Sequence, residues 1–180
     1  MNASTVLETK RLCLRAFRET DWQPLCDFFR DEDCVRYTIK TPLDDWQTWR
    51  MLACYIGHWT LRGYGPYAAV AKSSSKLVGA VGLWFPGEWP EPELKWALRR
   101  CFWGQGYATE AAAAVREMTE RTLRWSRLIS LILPENHRSI SVAKRLGGKL
   151  EKTIPFRGAI ANIFAYNLTP PSIQNSFKQN

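Results

Sequence analysis

The feature that most constrains the fold of this chain is the succession of strand, glycine-rich turn, helix, strand and helix between residues 93 and 146. Residues 93–98 and the continuous apolar run 128–133 are typical of strands, and the second run is suited to the centre of a sheet. Between them, apolar residues recur at helical spacing from Ala108 to Trp125. This order predicts an α/β (α+β) fold.

The rest of the chain supplies more elements of both kinds, separated by Pro, Gly and Asp. Its patterns predict helices at about 21–30, 42–62 and 136–147, and strands at about 11–15, 67–71, 77–83, 149–154 and 159–168. The acidic run 31–33 is expected to end the first helix. Residues 170–180 include two prolines and show no periodic pattern of apolar residues. We therefore predict one domain over 1–169 and a loosely ordered tail over 170–180.

Composition supports a single globular domain. The chain has 180 residues, of which 46% are hydrophobic, and a domain of this size buries roughly 70% of its unfolded surface. Its five cysteines are scattered and its two histidines are far apart, so we expect reduced thiols and no metal site. With neither a long apolar run nor a secretory signal, the chain is expected to be cytoplasmic and not to bind a membrane.

The glycine-rich turn suits an anion. Gly104 and Gly106 allow backbone conformations closed to other residues, so that successive amides can point at one ligand. The helix that begins near Ala108 directs its positive dipole end at the same place, which predicts a pyrophosphate site. Neither a Walker-type lysine nor a three-glycine dinucleotide motif is present. On these residues alone, a plain strand-to-helix turn is an equal alternative.

The chain resembles the GNAT superfamily of acetyl-CoA-dependent N-acetyltransferases, and within it the branch of the Rim-type ribosomal-protein N-terminal acetyltransferases. The resemblance covers about residues 5–168 and depends on motifs in the order of that family, namely 7–15 (LETKRLCLR), 103–111 (WGQGYATEA), 134–139 (PENHRS) and 146–147 (LG). There are two departures from the family pattern. Trp103 stands where Arg or Gln is common, and Gly148 stands where an aromatic residue is common.

This resemblance implies a single-domain GNAT-like fold, a mixed central sheet of about six to seven strands flanked by about four helices. Two of the strands would splay apart to hold acetyl-CoA, the implied cosubstrate. The implied cofactor-binding residues are Ala97, Leu98, Arg99, Trp103, Gly104, Gln105, Gly106, Tyr107, Ala108, Thr109, Asn136 and Ser139. Among these, an amide near Ala97 or Leu98 would polarise the thioester carbonyl.

Acetyl transfer to an amine needs a base for the amine proton, since an alkyl amine with a pKa of about 10.4 is almost fully protonated at neutral pH. Glu93 begins the strand expected to line the acceptor side, so we predict that it is the base; the alternative is a solvated carboxylate at a loop end. No tyrosine lies between residues 146 and 157. The resemblance then makes Ser139, or Ser141, the candidate general acid, and the alternative for Ser139 is a helix cap.

The predicted function is acetyl transfer from acetyl-CoA to a primary amine, either a protein N-terminus or a small molecule, by direct attack in a ternary complex. An inactive acyl-CoA-binding or sensory module is the alternative.

The net charge of +8 and the nine tryptophans raise the question of whether the protein binds nucleic acid. Because there is no run of five basic residues, we expect that it does not. A strongly cationic acceptor such as a polyamine fits this charge poorly. A monomer and a homodimer both remain open.

Tryptophan is concentrated where the resembling fold builds its acceptor pocket. Trp46, Trp49 and Trp59 lie on the second predicted helix, and Trp84 and Trp89 lie beside the loop before Glu93. Filling the core is the plainer interpretation of such residues. If some of them line the pocket, the acceptor has an apolar or aromatic part.

Overall fold

The computed structural model describes residues 3–171, and its strands form one eight-stranded sheet. The strands are β1 (Val6–Glu8), β2 (Leu12–Arg15), β3 (Pro66–Ala71), β4 (Leu77–Trp84), β5 (Glu93–Leu98), β6 (Arg127–Ile132), β7 (Lys149–Phe156) and β8 (Ala159–Asn167). Across the sheet their order is β1-β2-β3-β4-β5-β6-β8-β7. The pair β5 and β6 is parallel, and all other neighbours are antiparallel. The predicted mixed sheet is confirmed.

Helices cover both faces of the sheet. They are α1 (Trp22–Arg30), α2 (Glu32–Val35), α3 (Asp45–Arg62), α4 (Tyr107–Met118) and α5 (His137–Arg145). Buried residues of α4 and α5, such as Val115 and Ala143, share one apolar core, whereas those of α1, α2 and α3, such as Phe29, Val35 and Leu52, share another. We call these the α4/α5 face and the α1–α3 face.

The longest helix, α3, has clear end signals. The Asp44 carboxylate accepts a hydrogen bond from the Gln47 amide, and the Gln47 side chain accepts one from the Asp44 amide. This capping box satisfies two amides that a helix start would otherwise leave unpaired. The helix ends at Arg62 and is followed by Gly63, whose φ of 71° is left-handed and suits glycine.

Three elements differ from the sequence predictions. The sheet has an additional strand, β1, which is too short to show an alternating pattern and pairs with β2. The acidic run ends α1 at Arg30 as predicted, but it also starts an additional short helix, α2, where the Asp31 carboxylate accepts a hydrogen bond from the Asp33 amide. The predicted helix through Trp125 ends as an α-helix at Met118 and continues as a wider π-turn over Thr119–Leu123.

The sequence analysis also made predictions about the cysteines, a metal site, the membrane and the C-terminal tail. All five cysteines are free. Within residues 3–171, no three potential metal-binding side chains lie together, and no helix there has the length and apolarity needed to cross a membrane. The predicted domain end at residue 169 stays a prediction, and the tail beyond residue 171 lies outside the described residues.

Candidate active site

Strands β5 and β6 diverge from a single point of contact. They pair in parallel at Glu93 and Ile129, and in the described part of the chain β6 pairs with no later residue of β5. Next to this vertex, the Ser130 hydroxyl donates a hydrogen bond to the Leu94 carbonyl at 2.6 Å. The two strands thus enclose a V-shaped opening, the β5/β6 cleft, which widens toward Leu98.

The backbone of β5 presents amides to this cleft. On the other edge of β5, the Arg99 amide donates to the Val78 carbonyl at 2.9 Å. Because amides alternate between the two edges along a strand that keeps its register, the amide of Ala97 also faces β4, whereas those of Trp96 and Leu98 face the cleft. Of the two predicted positions for an oxyanion donor, only Leu98 therefore directs its amide into the cleft.

The turn at the wide end of the cleft holds a row of free amides; we call residues 104–109 the glycine turn. Gly104 and Gly106 have φ values of 75° and 80°, in the region that favours glycine. The first hydrogen bond of α4 runs from the Glu110 amide to the Gly106 carbonyl at 3.0 Å, and within residues 3–171 the amides of the glycine turn bond to no backbone carbonyl. They lie at the positive end of the α4 dipole, an arrangement that would stabilise a bound anion.

A salt bridge that the sequence analysis missed supports this turn. The Glu110 carboxylate accepts hydrogen bonds from the Thr9 hydroxyl at 2.6 Å and from the Arg11 Nε at 2.6 Å. The Arg11 Nη1 donates to the Gln105 carbonyl at 2.9 Å, and its guanidinium lies 4.3 Å from the centre of the Tyr107 ring. Burial acts to raise the pKa of Glu110, but these bonds outweigh it and lower the pKa.

Arg99, which the resemblance implied for cofactor binding, and its neighbour Arg100 are both engaged elsewhere. Arg99 forms a salt bridge with Asp27 at 3.0 Å, and Arg100 forms one with Asp31 at 2.9 Å. Their charges are thus already offset by carboxylates. Arg99 is therefore a weaker candidate for binding a phosphate than the sequence indicated, and Arg11 is the cation in direct contact with the glycine turn.

Trp103 connects the end of β5 to α5. Its indole Nε1 donates to the Leu98 carbonyl at 2.7 Å, and the Arg138 guanidinium lies 4.7 Å from its ring centre. This tryptophan, which replaces the Arg or Gln of the family pattern, therefore spans the wide end of the β5/β6 cleft.

On the opposite wall, Asn136 and Ser139 have separate roles. The Asn136 side chain accepts a hydrogen bond from the Ser139 amide at 3.1 Å and so caps α5. The Ser139 hydroxyl is not the cap: it accepts a hydrogen bond from the Trp96 indole on β5 at 3.2 Å. By contrast, the Ser141 hydroxyl donates to the His137 carbonyl within the helix. Ser139 is thus the serine that faces β5.

Comparisons with known proteins decide the family. The family model for the acetyltransferase (GNAT) domain matches residues 11–149. The chain belongs to the GNAT acetyltransferase family. The uncharacterized N-acetyltransferase p20 of Bacillus licheniformis is 26% identical to this GNAT chain over 168 residues, covering 90% of the chain and 94% of p20. The chain is an N-acetyltransferase that uses acetyl-CoA as its donor.

Solved structures give the same fold. An acetyltransferase from Agrobacterium tumefaciens C58 superimposes on this GNAT chain with a TM-score of 0.82 at 28% identity, covering 93% of the chain and 96% of that structure. RimL, a ribosomal L7/L12 α-N-protein acetyltransferase solved with coenzyme A, gives a TM-score of 0.77 at 19% identity, covering 92% of the chain and 99% of RimL. The second likeness concerns the fold alone.

The residues of the GNAT chain fit acetyl-CoA. The donor has an anionic end, which the glycine turn suits, and a long amide-containing arm, which a cleft with free strand amides suits. The second departure from the family pattern has a packing reason: a Cβ on Gly148 would lie 2.7 Å from the Tyr166 ring. Tyr166 therefore fills the space beside Gly148, and its burial raises its pKa to about 12.

Glu93 is at the vertex of the cleft on the α1–α3 face, where it is 8% exposed. Trp89 Nε1 donates to its carboxylate at 2.7 Å and the Leu131 amide donates at 3.3 Å. Burial raises the pKa of Glu93, and the Lys95 charge and these two donors only partly oppose that rise. The alternative of a solvated carboxylate does not fit such a buried side chain.

Two of the five tryptophans that the sequence linked to the acceptor lie close to Glu93. Trp84 is 7% exposed and packs edge-to-face against Trp89. Trp59 instead packs on Tyr67. The exposed Trp46 and Trp49, which packs on Trp22, lie farther out on α3. The wall beside Glu93 also includes Tyr55 of α3, which packs on Trp84, and Phe156 of β7, which packs on Trp89.

The sequence analysis also missed Trp96 and Lys95. A weak indication was available, because side chains alternate along a strand and Glu93 and Lys95 must share a face. No pattern in the sequence joins Trp96 to Ser139, which are 43 positions apart.

Proposed function

We propose that this GNAT enzyme acetylates a primary amine by direct attack in a ternary complex, with Glu93 as base and Ser139 as acid. The observation that carries the proposal is the position of the two groups on either side of β5. Glu93 lies at the vertex on the α1–α3 face, and Ser139 meets Trp96 on the α4/α5 face. A base and an acid are thus available on opposite sides of the thioester.

In the proposed reaction the donor, bound in the β5/β6 cleft, supplies the acetyl group as a thioester. The amine nitrogen bonds to the carbonyl carbon and passes its proton to the Glu93 carboxylate, directly or through water. The Leu98 amide stabilises the negative charge on the carbonyl oxygen. The bond from carbon to sulfur then breaks, and Ser139 protonates the leaving sulfur and is reprotonated from solvent. The products are the acetamide and free coenzyme A.

The pKa of Glu93 suits this role. A general base is most effective when its pKa lies near the working pH, and burial moves the pKa of this carboxyl upward. The Trp96 indole donates to Ser139, which leaves the hydroxyl proton of Ser139 free to be donated and makes the hydroxyl more acidic. Trp96 is thus a positioning residue for the acid.

The same proposal includes the binding of the donor. The amides of the glycine turn would hold the pyrophosphate, Trp103 would cover the wide end of the cleft, and Asn136 would bond the pantetheine arm through its amide nitrogen. Kinship to the Rim-type branch, and hence a protein N-terminus as one class of acceptor, is supported by the fold of RimL. The free cysteines support a reducing compartment such as the cytoplasm.

The test is a screen of primary amines with acetyl-CoA that measures the release of free coenzyme A. We expect turnover with at least one acceptor, loss of that turnover in Glu93→Gln, and reduced turnover in Ser139→Ala but not in the matched variant Ser141→Ala. Binding of acetyl-CoA in calorimetry without turnover of any amine would instead favour the sensory module.

A further inference from the structure

Lys95 lies on the wall beside Glu93, which we call the acceptor wall, and has no carboxylate partner among the described residues. Its ammonium group is 4.7 Å from the centre of the Trp84 ring and 5.3 Å from that of Tyr55. Within residues 3–171 it forms no salt bridge, whereas Arg15, Arg99, Arg100 and Arg127 all do. The side chain is half-buried. Aromatic rings stabilise such a cation less than a carboxylate would and do not neutralise it, so its charge remains available to a ligand.

The charge of Lys95 acts in the space between α3 and the sheet. Burial is the main influence on the pKa values of Glu93, Cys54 and His58, and the Lys95 charge contributes to each of them by favouring loss of the proton. Cys54 and His58 belong to α3, and Glu93 belongs to β5. The ammonium group therefore lies between α3 and β5, over the rings of Tyr55 and Trp84.

A second cation lies along the same wall. The Arg157 guanidinium, in the turn between β7 and β8, is 5.5 Å from the centre of the Trp89 ring. Trp89 is the residue that donates to Glu93. Like Lys95, Arg157 has no carboxylate within salt-bridge distance in the part of the chain that the structure describes. Two cations without a salt bridge in the described chain, Lys95 and Arg157, thus lie over aromatic rings of the wall beside Glu93.

We propose that the acceptor amine carries an anionic group within a few bonds of its nitrogen, and that Lys95 binds this anion. The inference rests on the proposed function, since it assigns the amine to Glu93. Alternate residues of a strand lie about 6.5–7 Å apart on the same face. Glu93 and Lys95 therefore match an amine and an acid in one small molecule or at one end of a peptide, as in an amino acid. A polyamine would be repelled.

Lys95 has one competing role, as a counterion that only adjusts the charge of Glu93. In that case its loss would alter turnover of all amines to the same degree. A binding role makes a different prediction: the loss would fall on acidic acceptors and would be expressed mainly in their KM. The ratio of kcat/KM between an acidic acceptor and its uncharged twin separates the two roles.

The experiment compares wild type, Lys95→Met, Lys95→Arg and the exposed control Lys76→Met on matched pairs. The pairs are free amino acids against their carboxamides, and C-terminally amidated dipeptides with Glu against Gln at the second position. We expect wild type to prefer the acid, Lys95→Met to reduce this preference at least tenfold through KM, and Lys95→Arg and Lys76→Met to retain it. A preference for the acid among the amino acids would identify the acceptor as a small molecule. A preference for the acid among the dipeptides would identify it as a protein N-terminus.

Two results overturn the inference: a wild type that acetylates amides as well as acids, and a Lys95→Met variant with an unchanged preference. If no probe is acetylated, the proposed function fails instead. Calorimetric titration of the same pairs into wild type and Lys95→Met, with coenzyme A present, then tests the preference for the anion without turnover. Equal binding of acids and amides to wild type in that titration would also reject the inference.

Discussion

The two sides of β5 are built in different ways. On the α4/α5 face, the groups available to the donor are mainly backbone amides, and most of them belong to the short stretch from Trp96 to Thr109. On the α1–α3 face, the wall beside Glu93 is made of side chains from α3, β4, β5, β7 and the loop before β5. The backbone amides of the proposed donor side are thus local in sequence, whereas the proposed acceptor side is assembled from side chains of distant segments.

This difference has a chemical reason. A donor shared by many enzymes is bound well by amides, which every sequence has, provided that glycines give the turn its shape. An acceptor is selected by shape and charge, which only side chains provide. Substitutions on the two sides should therefore separate into effects on the donor and effects on the acceptor or on turnover.

The largest effect is expected for Glu93→Gln. Removal of a positioned general base lowers kcat by about 10²–10⁴-fold, while the affinity for acetyl-CoA in calorimetry should stay within error. Because the pKa of Glu93 is raised by burial, wild-type activity should increase with pH as this carboxyl ionises, and that acid limb should be absent from the residual activity of the variant. The exposed carboxylate variant Glu88→Gln is the matched control. A kcat of Glu93→Gln within threefold of wild type would contradict the assignment of the α1–α3 face to turnover.

Gly106→Val tests the donor side. Residue 106 has a φ of 80°, and a side chain in that region costs about 1–2 kcal/mol. If the turn relaxes to avoid this strain, affinity for acetyl-CoA should fall by about tenfold. The control is Gly87→Ala, where an added Cβ would meet no atom within 4 Å. Calorimetry measures the affinities, and an unchanged affinity in Gly106→Val would mean that the donor does not depend on this turn.

Trp96→Phe tests the α4/α5 face of β5, where the Trp96 side chain contacts Ser139. Loss of its hydrogen bond to Ser139 should lower kcat by about three- to tenfold, in line with about 0.5–1.5 kcal/mol for one hydrogen bond. The effect should disappear in a Ser139→Ala background, which a purely structural role would not produce. Trp125→Phe serves as the control, and rapid-quench measurement of the chemical step provides the rates.

The smallest effect concerns stability of the acceptor wall. His58 is buried, where its Nδ1 lies 2.8 Å from the Tyr64 carbonyl and its Nε2 accepts from the Phe85 amide at 3.0 Å, which assigns the neutral ring. Burial lowers its pKa. The folded state thus favours the neutral form, so its stabilising contribution is present above pH 6.5 and is lost as the pH falls below that value.

Denaturant unfolding between pH 7.5 and 5.5 measures this contribution. The free energy of unfolding of wild type should fall more steeply with acidification than that of His58→Gln. The exposed control His137→Gln should follow wild type. Equal slopes for wild type and His58→Gln would show that this wall does not depend on a neutral histidine.

Much of the fold could be predicted from the sequence, because strands and helices that bury one face repeat with periods of two and about 3.6 residues. The strands at 93–98 and 128–133 and the helix after Gly106 all occur where their patterns predict. By contrast, the three-residue strand β1 has too few residues to show a period, and the π-turn after Met118 has no distinct pattern. The mixed sheet and the splaying of two strands were implied by the resemblance, but the one position at which β5 pairs with β6, Glu93 with Ile129, was not.

The sequence by itself determined the local parts of the proposed donor side, because the glycines that shape the turn, the helix that follows it and the asparagine that caps α5 are all neighbours of the residues they serve. Only the tertiary structure decided which cations remain free: Arg99 and Arg100 are offset by Asp27 and Asp31, Arg11 supports the turn, and Lys95 faces the acceptor wall. The reason is that the effect of a charge depends on its distance to other charges, and folding sets that distance between residues far apart in the chain.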